Sequence, residues 1–312
     1  MTEPAVDLTT ELAGVPLRNP VLLASGTCGY GAELAPFVDL AELGGIVAKS
    51  LTLEPRAGNV PPRITEAPAG MLNAISLENV GVEAFLREKL PALPPAVTVV
   101  ASVFETELER YAEVCKRLDG ERRVAALELN ASCPHVKSGG IEFGQDPAVL
   151  AELVRACRRA TTKPLFVKLS PNVTSIAQMA RVCEGEGADA LSLVNAVQGM
   201  LVDVQRRRTV LRNGLGGLSG PAIFPIALRM VYQASRAVRI PICGIGGIQS
   251  GEDAVAFLLC GASAVQVGTV GYANPRVSIE IRDQIAAYCR AQGVAKVREL
   301  IGGLRPWEAP EA

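Results

Sequence analysis

Eight short β-branched runs, helical patterns between most of them, and polar or glycine-rich punctuation at nearly every run's end predict a (β/α)8 TIM barrel. The runs are VLLA (21–24), GIVAKS (45–50), VTVVAS (97–102), VAALELN (124–130), LFVKLS (165–170), ALSLVN (190–195), IPICGIGG (240–247) and AVQVGT (264–269). Most are continuously apolar, as suits strands covered on both faces of a parallel sheet. A doubly wound open sheet is the competing arrangement, but it commonly has fewer strands.

Taken in order, the first run ends in Ser25-Gly26-Thr27 and the second in Lys49-Ser50. A long irregular connection, 52–79, follows. After the third run, residues 105–118 carry Leu108, Tyr111, Ala112, Cys115 and Leu118 near a period of 3.6, which predicts a helix. The fourth run ends at Asn130 and opens into a polar, glycine-rich loop. A helix over 147–160 is predicted from Asp146 as N-cap and Pro147 at the first helical position. The fifth run carries Lys168 at its end, and a helix over 174–184 follows. The sixth ends at Asn195 and leads into a second irregular connection, 198–219, and then a helix over 221–237. The seventh ends in Gly246-Gly247, before a helix over 251–259. The eighth ends in Gly268-Thr269, before a helix over 278–291. In such a barrel these ends meet at one mouth, where the active site sits. The two long connections are candidates for lids or partner contacts. No linker or low-complexity segment divides the chain, so one domain is expected over 1–312.

Composition narrows the function classes. Hydrophobic residues make up 49% of the 312 positions, ample for a large core, while aromatics at 4% leave that core to Val, Ile, Leu and Ala. Basic and acidic side chains number 31 and 32, for a net charge of −1, which gives nucleic-acid binding no support. The short RRR at 206–208 reads as a solvated loop. The N-terminal MTEPAVDLTTEL reads as neither a signal nor a transit peptide, and the apolar stretch 92–104 is too short and proline-broken to span a bilayer. The eight cysteines lie at 28, 115, 133, 157, 183, 243, 260 and 289. Their spacings suit neither a zinc site nor an iron–sulfur cluster, so no metal is expected. Reduced thiols in a cytoplasmic protein are the expectation.

Several constellations could carry chemistry. Glycines after the last two strands leave backbone N–H groups bare beside helix N-termini, a phosphate cradle if not merely tight turns. Lys49 and Lys168 end apolar runs, where a buried ammonium needs an anion unless it snorkels or forms a structural ion pair. Asn73, Asn130 and Asn195 could aim amides at a planar polar ligand or simply cap turns. Position alone leaves Cys133 either a small hydrophobe or a catalytic thiol. His135, the single histidine, has no third orienting group to make a Cys–His hydrolase pair.

These residues together resemble the class 1 dihydroorotate dehydrogenases, and most of all the catalytic subunit of class 1B. The likeness runs through ASGTCGYG (24–31), AKS (48–50), GMLNAISLENVGVE (70–83), NASCPHVKSGGIEFGQDP (130–147), VKLSPNV (167–173), LVNA (193–196), GGLSGPAIFPIALRMVYQ (216–233), CGIGGI (243–248) and VQVGT (265–269). The resemblance implies an FMN-containing enzyme, one flavin per chain, that oxidises dihydroorotate to orotate in pyrimidine biosynthesis. It implies Cys133 as the base at C5, with hydride leaving C6 for the flavin. Ser25, Lys49, Ser50, Asn130, Lys168, Val194, Gly220, Gly246, Gly247, Gly268 and Thr269 would hold FMN, the last four around its phosphate. Lys49, Asn73, Ala74, Ile75, Ser76, Leu77, Asn130, Asn195 and Ala196 would hold the pyrimidine, and the loop 134–144 would cover it.

The chain departs from the family pattern at four places. His135 stands where members often have Asn, Ser76 where Gly is common, Ala196 where Thr or Ser is usual, and Ser102 where some have Asn. Dihydropyrimidine dehydrogenases share CPH but carry extra ferredoxin cysteines that this chain lacks. A non-catalytic flavin-binding barrel is the reading from another class, and it gives no reason to keep Cys133 with two buried lysines. By the same resemblance, FAD and a 2Fe–2S cluster belong to a partner subunit that reaches NAD, in a heterotetramer.

Overall fold

A computed structural model of the chain describes residues 6–132, 143–305 and 307. Eight parallel strands close into a barrel: β1 (Val21–Leu23), β2 (Gly45–Leu51), β3 (Val99–Val103), β4 (Val124–Asn130), β5 (Leu165–Leu169), β6 (Ala190–Leu193), β7 (Ile242–Ile245) and β8 (Ala264–Val267). Each pairs with its neighbour in sequence, and β8 pairs with β1 through Val265 and Val21. Closure rules out the open sheet.

The helices follow their local signals. Those of nine residues or more are α1 (Leu108–Asp119), α2 (Pro147–Ala160), α3 (Ile176–Gly185), α4 (Phe224–Ser235), α5 (Gly251–Leu259) and α6 (Val277–Ala291), and a shorter helical stretch, Val82–Ala84 continuing into Phe85–Lys89, lies between β2 and β3. Asp146 caps α2 by accepting from the N–H groups of Ala148 and Val149. Ser250 and Asp253 form a reciprocal capping box on α5. The predicted 221–237 segment begins instead as a 3₁₀ turn, Pro221–Ile223, and only then becomes α4. Between β1 and β2 there are only 3₁₀ turns, Ala32–Leu34 and Leu40–Glu42. Among the described residues no helix is long and apolar enough to cross a membrane.

The two connections read as irregular are not so. Ile64–Ala67 and Gly70–Asn73 from the first join Leu215–Ser219 and Val197–Met200 from the second in one four-stranded antiparallel sheet. These strands are short, and three of them carry glycine, so no β-branched run marks them in the sequence. The glycines are required by proximity: a Cβ on Gly216 would lie 2.6 Å from Leu211 Cδ1 and 2.8 Å from the Asn73 carbonyl oxygen. The sheet positions Asn73 beside the barrel mouth.

The opposite end is closed by a hairpin of Thr10–Leu12 and Val15–Leu17, which turns at Ala13 and Gly14, both with positive φ. Leu12, Val15 and Leu17 pack on the lowest barrel layer, which includes Leu22, Val47, Val100, Phe166 and Ala264. Burying each such aliphatic side chain contributes roughly 1.5–3 kcal/mol. The floor of the barrel is therefore solid, and the polar strand ends face the other way.

Candidate active site at the barrel mouth

A cavity of about 250 Å³ opens where the strands end. Two cations dominate it. Lys168 on β5 is 6% exposed, and among the described residues its ammonium has neither a hydrogen-bond acceptor nor an ion-pair partner. Lys49 on β2 also lines the cavity without a partner carboxylate. Burial pushes the Lys49 pKa down, and neighbouring Glu78 works against that shift. Two such groups at one mouth make it a receptor for negative charge.

The amides form a chain across the strand ends. Asn195 Nδ2 donates to Asn130 Oδ1 at 3.2 Å, and Asn130 Nδ2 donates to Ser50 Oγ at 3.4 Å. Ser50 Oγ meets Ser102 Oγ at 2.8 Å, which extends the chain to the end of β3. Tyr111 of α1 fixes the end of β4 by donating to the Asn130 carbonyl oxygen at 2.7 Å. Asn73 Nδ2 donates to the Gly217 carbonyl oxygen at 3.3 Å, which ties it to the mouth sheet.

The glycine corner lies on one side. Gly246 (φ 127) and Gly247 (φ 76) have backbone conformations that L side chains rarely adopt. A Cβ on Gly247 would fall 2.6 Å from Phe224 Cβ. Gly268 and Thr269 end the next strand, and Thr269 Oγ1 donates to Ser219 Oγ at 2.9 Å. Gly220 borders the same corner.

Of the expected residues, Ser25, Lys49, Ser50, Asn73, Ile75, Ser76, Leu77, Asn130, Lys168, Val194, Asn195, Ala196, Gly220, Gly246, Gly247, Gly268 and Thr269 all line this cavity. Ala74 does not. Its N–H donates to the Arg63 carbonyl oxygen at 2.8 Å and its own carbonyl accepts from Asn59 Nδ2 at 2.8 Å, so it serves the loop rather than the cavity. Cys133 and His135 lie outside the described residues. The other seven cysteines are all buried and free. Burial raises the Cys28 thiol to about 12, so that thiol is inert despite its place near the mouth.

Some lining residues escaped the sequence reading. Gln266 on β8 reaches the cavity, and its Nε2 donates to Glu128 Oε2 at 2.7 Å. Ser192 Oγ donates to the same oxygen at 2.7 Å. Glu128 is two residues before Asn130 on β4, so the two-residue period puts both on one face. That period was the available signal. Glu78 lines the cavity as well, and it follows the asparagine-led stretch rather than belonging to a strand, so no strand pattern points to it.

The model of the family described as dihydroorotate dehydrogenase matches residues 7–288. The chain belongs to the dihydroorotate dehydrogenase family. It is 56% identical over 299 residues to the dihydroorotate dehydrogenase B (NAD(+)) catalytic subunit of Pelobacter propionicus, covering 96% of this chain and 98% of that one. The same-named proteins of Trichlorobacter lovleyi and Geobacter sulfurreducens are 54% and 52% identical, at 95% and 96% of this chain and 98% of each of theirs. The crystal structure of the dihydroorotate dehydrogenase of Eimeria tenella in complex with ferulenol superposes with a TM-score of 0.79 at 22% identity, over 95% of this chain and 88% of that one. That likeness speaks for the barrel alone. Within this family frame, Ser76 shows why a glycine suits its position: its φ is 60°.

Proposed function

We propose that this chain is the catalytic subunit of an NAD-linked dihydroorotate dehydrogenase, which oxidises (S)-dihydroorotate to orotate in pyrimidine biosynthesis. The observation that carries the reading is the pairing of two partnerless lysines with three asparagine amides around one cavity. An acidic pyrimidine offers both a carboxylate and a ring of amide groups, and that set of donors and acceptors matches it.

FMN fits the same cavity. The buried Lys168 ammonium calls for an anion, and the corner formed by Gly246, Gly247, Gly268 and Thr269, with Gly220 beside it, offers backbone N–H groups for a phosphate. Ser25, Ser50, Asn130 and Val194 would border the rest of the cofactor. When bound, FMN would supply the hydride acceptor for C6 of the substrate. The protein's part is geometric and electrostatic. Lys49 would meet the substrate carboxylate, while Asn73, Ile75, Ser76, Leu77, Asn195 and Ala196 would hold the ring. Cys133, as thiolate, would take the C5 proton, so that proton and hydride loss together leave the C5–C6 double bond. Lys168 would stand where reduction builds negative charge.

Electrons must then leave. The reading assigns that step to a partner subunit with FAD and a 2Fe–2S cluster, in a heterotetramer of two copies of each chain; the words "catalytic subunit" in the relatives' names support a partner. Anaerobic addition of dihydroorotate to the FMN-loaded chain tests the core of the proposal. Bleaching of the flavin absorbance is the expected result. No bleaching would turn the assignment toward a uracil-type enzyme or a binding protein.

A further inference from the structure

The substrate segment is fastened to the loop that precedes the mouth sheet. Asn59 N–H donates to the Ile75 carbonyl oxygen at 3.0 Å, and Ala74 N–H donates to the Arg63 carbonyl oxygen at 2.8 Å. Arg63 Nη1 donates to the Asn59 carbonyl oxygen at 3.2 Å. Its Nη2 forms a short ion pair with Glu78 Oε2. Glu78 and Lys49 both line the cavity, close enough for the Glu78 charge to act on the Lys49 ammonium. The three charges feel each other: Glu78 holds the Lys49 pKa up against burial, and Arg63 adds to the lowering.

A carboxylate beside Lys49 is a hazard for an anion receptor, since it competes with the ligand for the same cation. We propose that Arg63 holds the Glu78 carboxylate back from Lys49, so that Lys49 stays available to the acidic group of the substrate. Arg63 and Glu78 are thus positioning residues for substrate charge. The inference rests on the dihydroorotate reading and deepens it.

The test uses the FMN-loaded chain with an artificial dye as acceptor. Arg63→Ala frees Glu78 to pair with Lys49, and should raise KM for dihydroorotate about tenfold, the scale of one charge-assisted hydrogen bond, with kcat little changed. Glu78→Gln removes a competitor that Arg63 already restrains and should leave KM near the wild-type value. The double variant R63A/E78Q should return KM to the E78Q value, because Arg63 then has nothing left to restrain. A double variant as impaired as R63A would overturn the proposal, since Arg63 would then act through the loop or on the ligand itself. Orotate titrations monitored by the flavin spectrum give the same comparison without turnover. Wild-type chain that fails to oxidise dihydroorotate would overturn the functional reading and the inference together. Normal wild-type turnover with an unrescued double variant would overturn the inference alone.

Discussion

At the scale of single residues, the proposed chemistry divides between a proton and a charge. Cys133→Ala should keep FMN bound and the fold intact but slow anaerobic flavin reduction by about 10²–10⁴-fold, the usual contribution of a general base. Cys133→Ser should also be impaired, because an alcohol is a far weaker acid than a thiol. Stopped-flow reduction at normal speed in Cys133→Ala would remove that residue from the mechanism. Lys168→Ala should weaken FMN retention and lower the flavin potential by tens of millivolts. A charge-assisted contact contributes about 1.5–3 kcal/mol, and about 1.4 kcal/mol corresponds to 30 mV in a two-electron couple. A redox titration with no downward shift would place Lys168 away from the flavin. These two residues stood out in the sequence because each breaks an apolar or strand-end pattern. Glu128 did not: one acid within VAALELN looks like a surface position until the barrel closes around it, fully buried, with Oε1 unpartnered among the described residues.

At the scale of elements, boundaries followed local chemistry and failed where tertiary contacts decide. α2 runs over the predicted 147–160 because Asp146 and Pro147 define its start without outside help. Asp146→Ala should cost about 1 kcal/mol in denaturant unfolding, while Asp146→Asn, which keeps an acceptor oxygen, should cost little. Equal losses in both would mean that charge at the helix end, rather than the cap hydrogen bond, is what matters. The eight barrel strands were equally legible, since runs of β-branched residues of that length have few other uses. The mouth sheet was not. Its strands pair across long sequence separations, Asn73 with Gly217 for example, and no local window contains both partners. Asn73 was therefore visible as a residue in the sequence, but the sheet that holds it at the cavity was not.

At the scale of the whole molecule, the question is where electrons go. The isolated, FMN-loaded chain should reduce dyes with dihydroorotate but reduce NAD poorly. Co-expression with an FAD- and iron–sulfur-carrying subunit should restore NAD reduction. Steady-state assays of the chain alone, with NAD and separately with fumarate, check this. Rapid turnover with fumarate would make the chain a self-sufficient enzyme, and rapid turnover with NAD would make the partner superfluous. The mouth sheet adds a consequence of another kind, in the order of assembly. The segment that carries Asn73 leaves the ribosome well before Leu215–Ser219, the strand it must pair with. Until that later strand is synthesised, the nascent chain holds this cavity-lining asparagine on an unfinished edge. The site is thus completed late in translation, by residues that themselves lie far from the amino terminus.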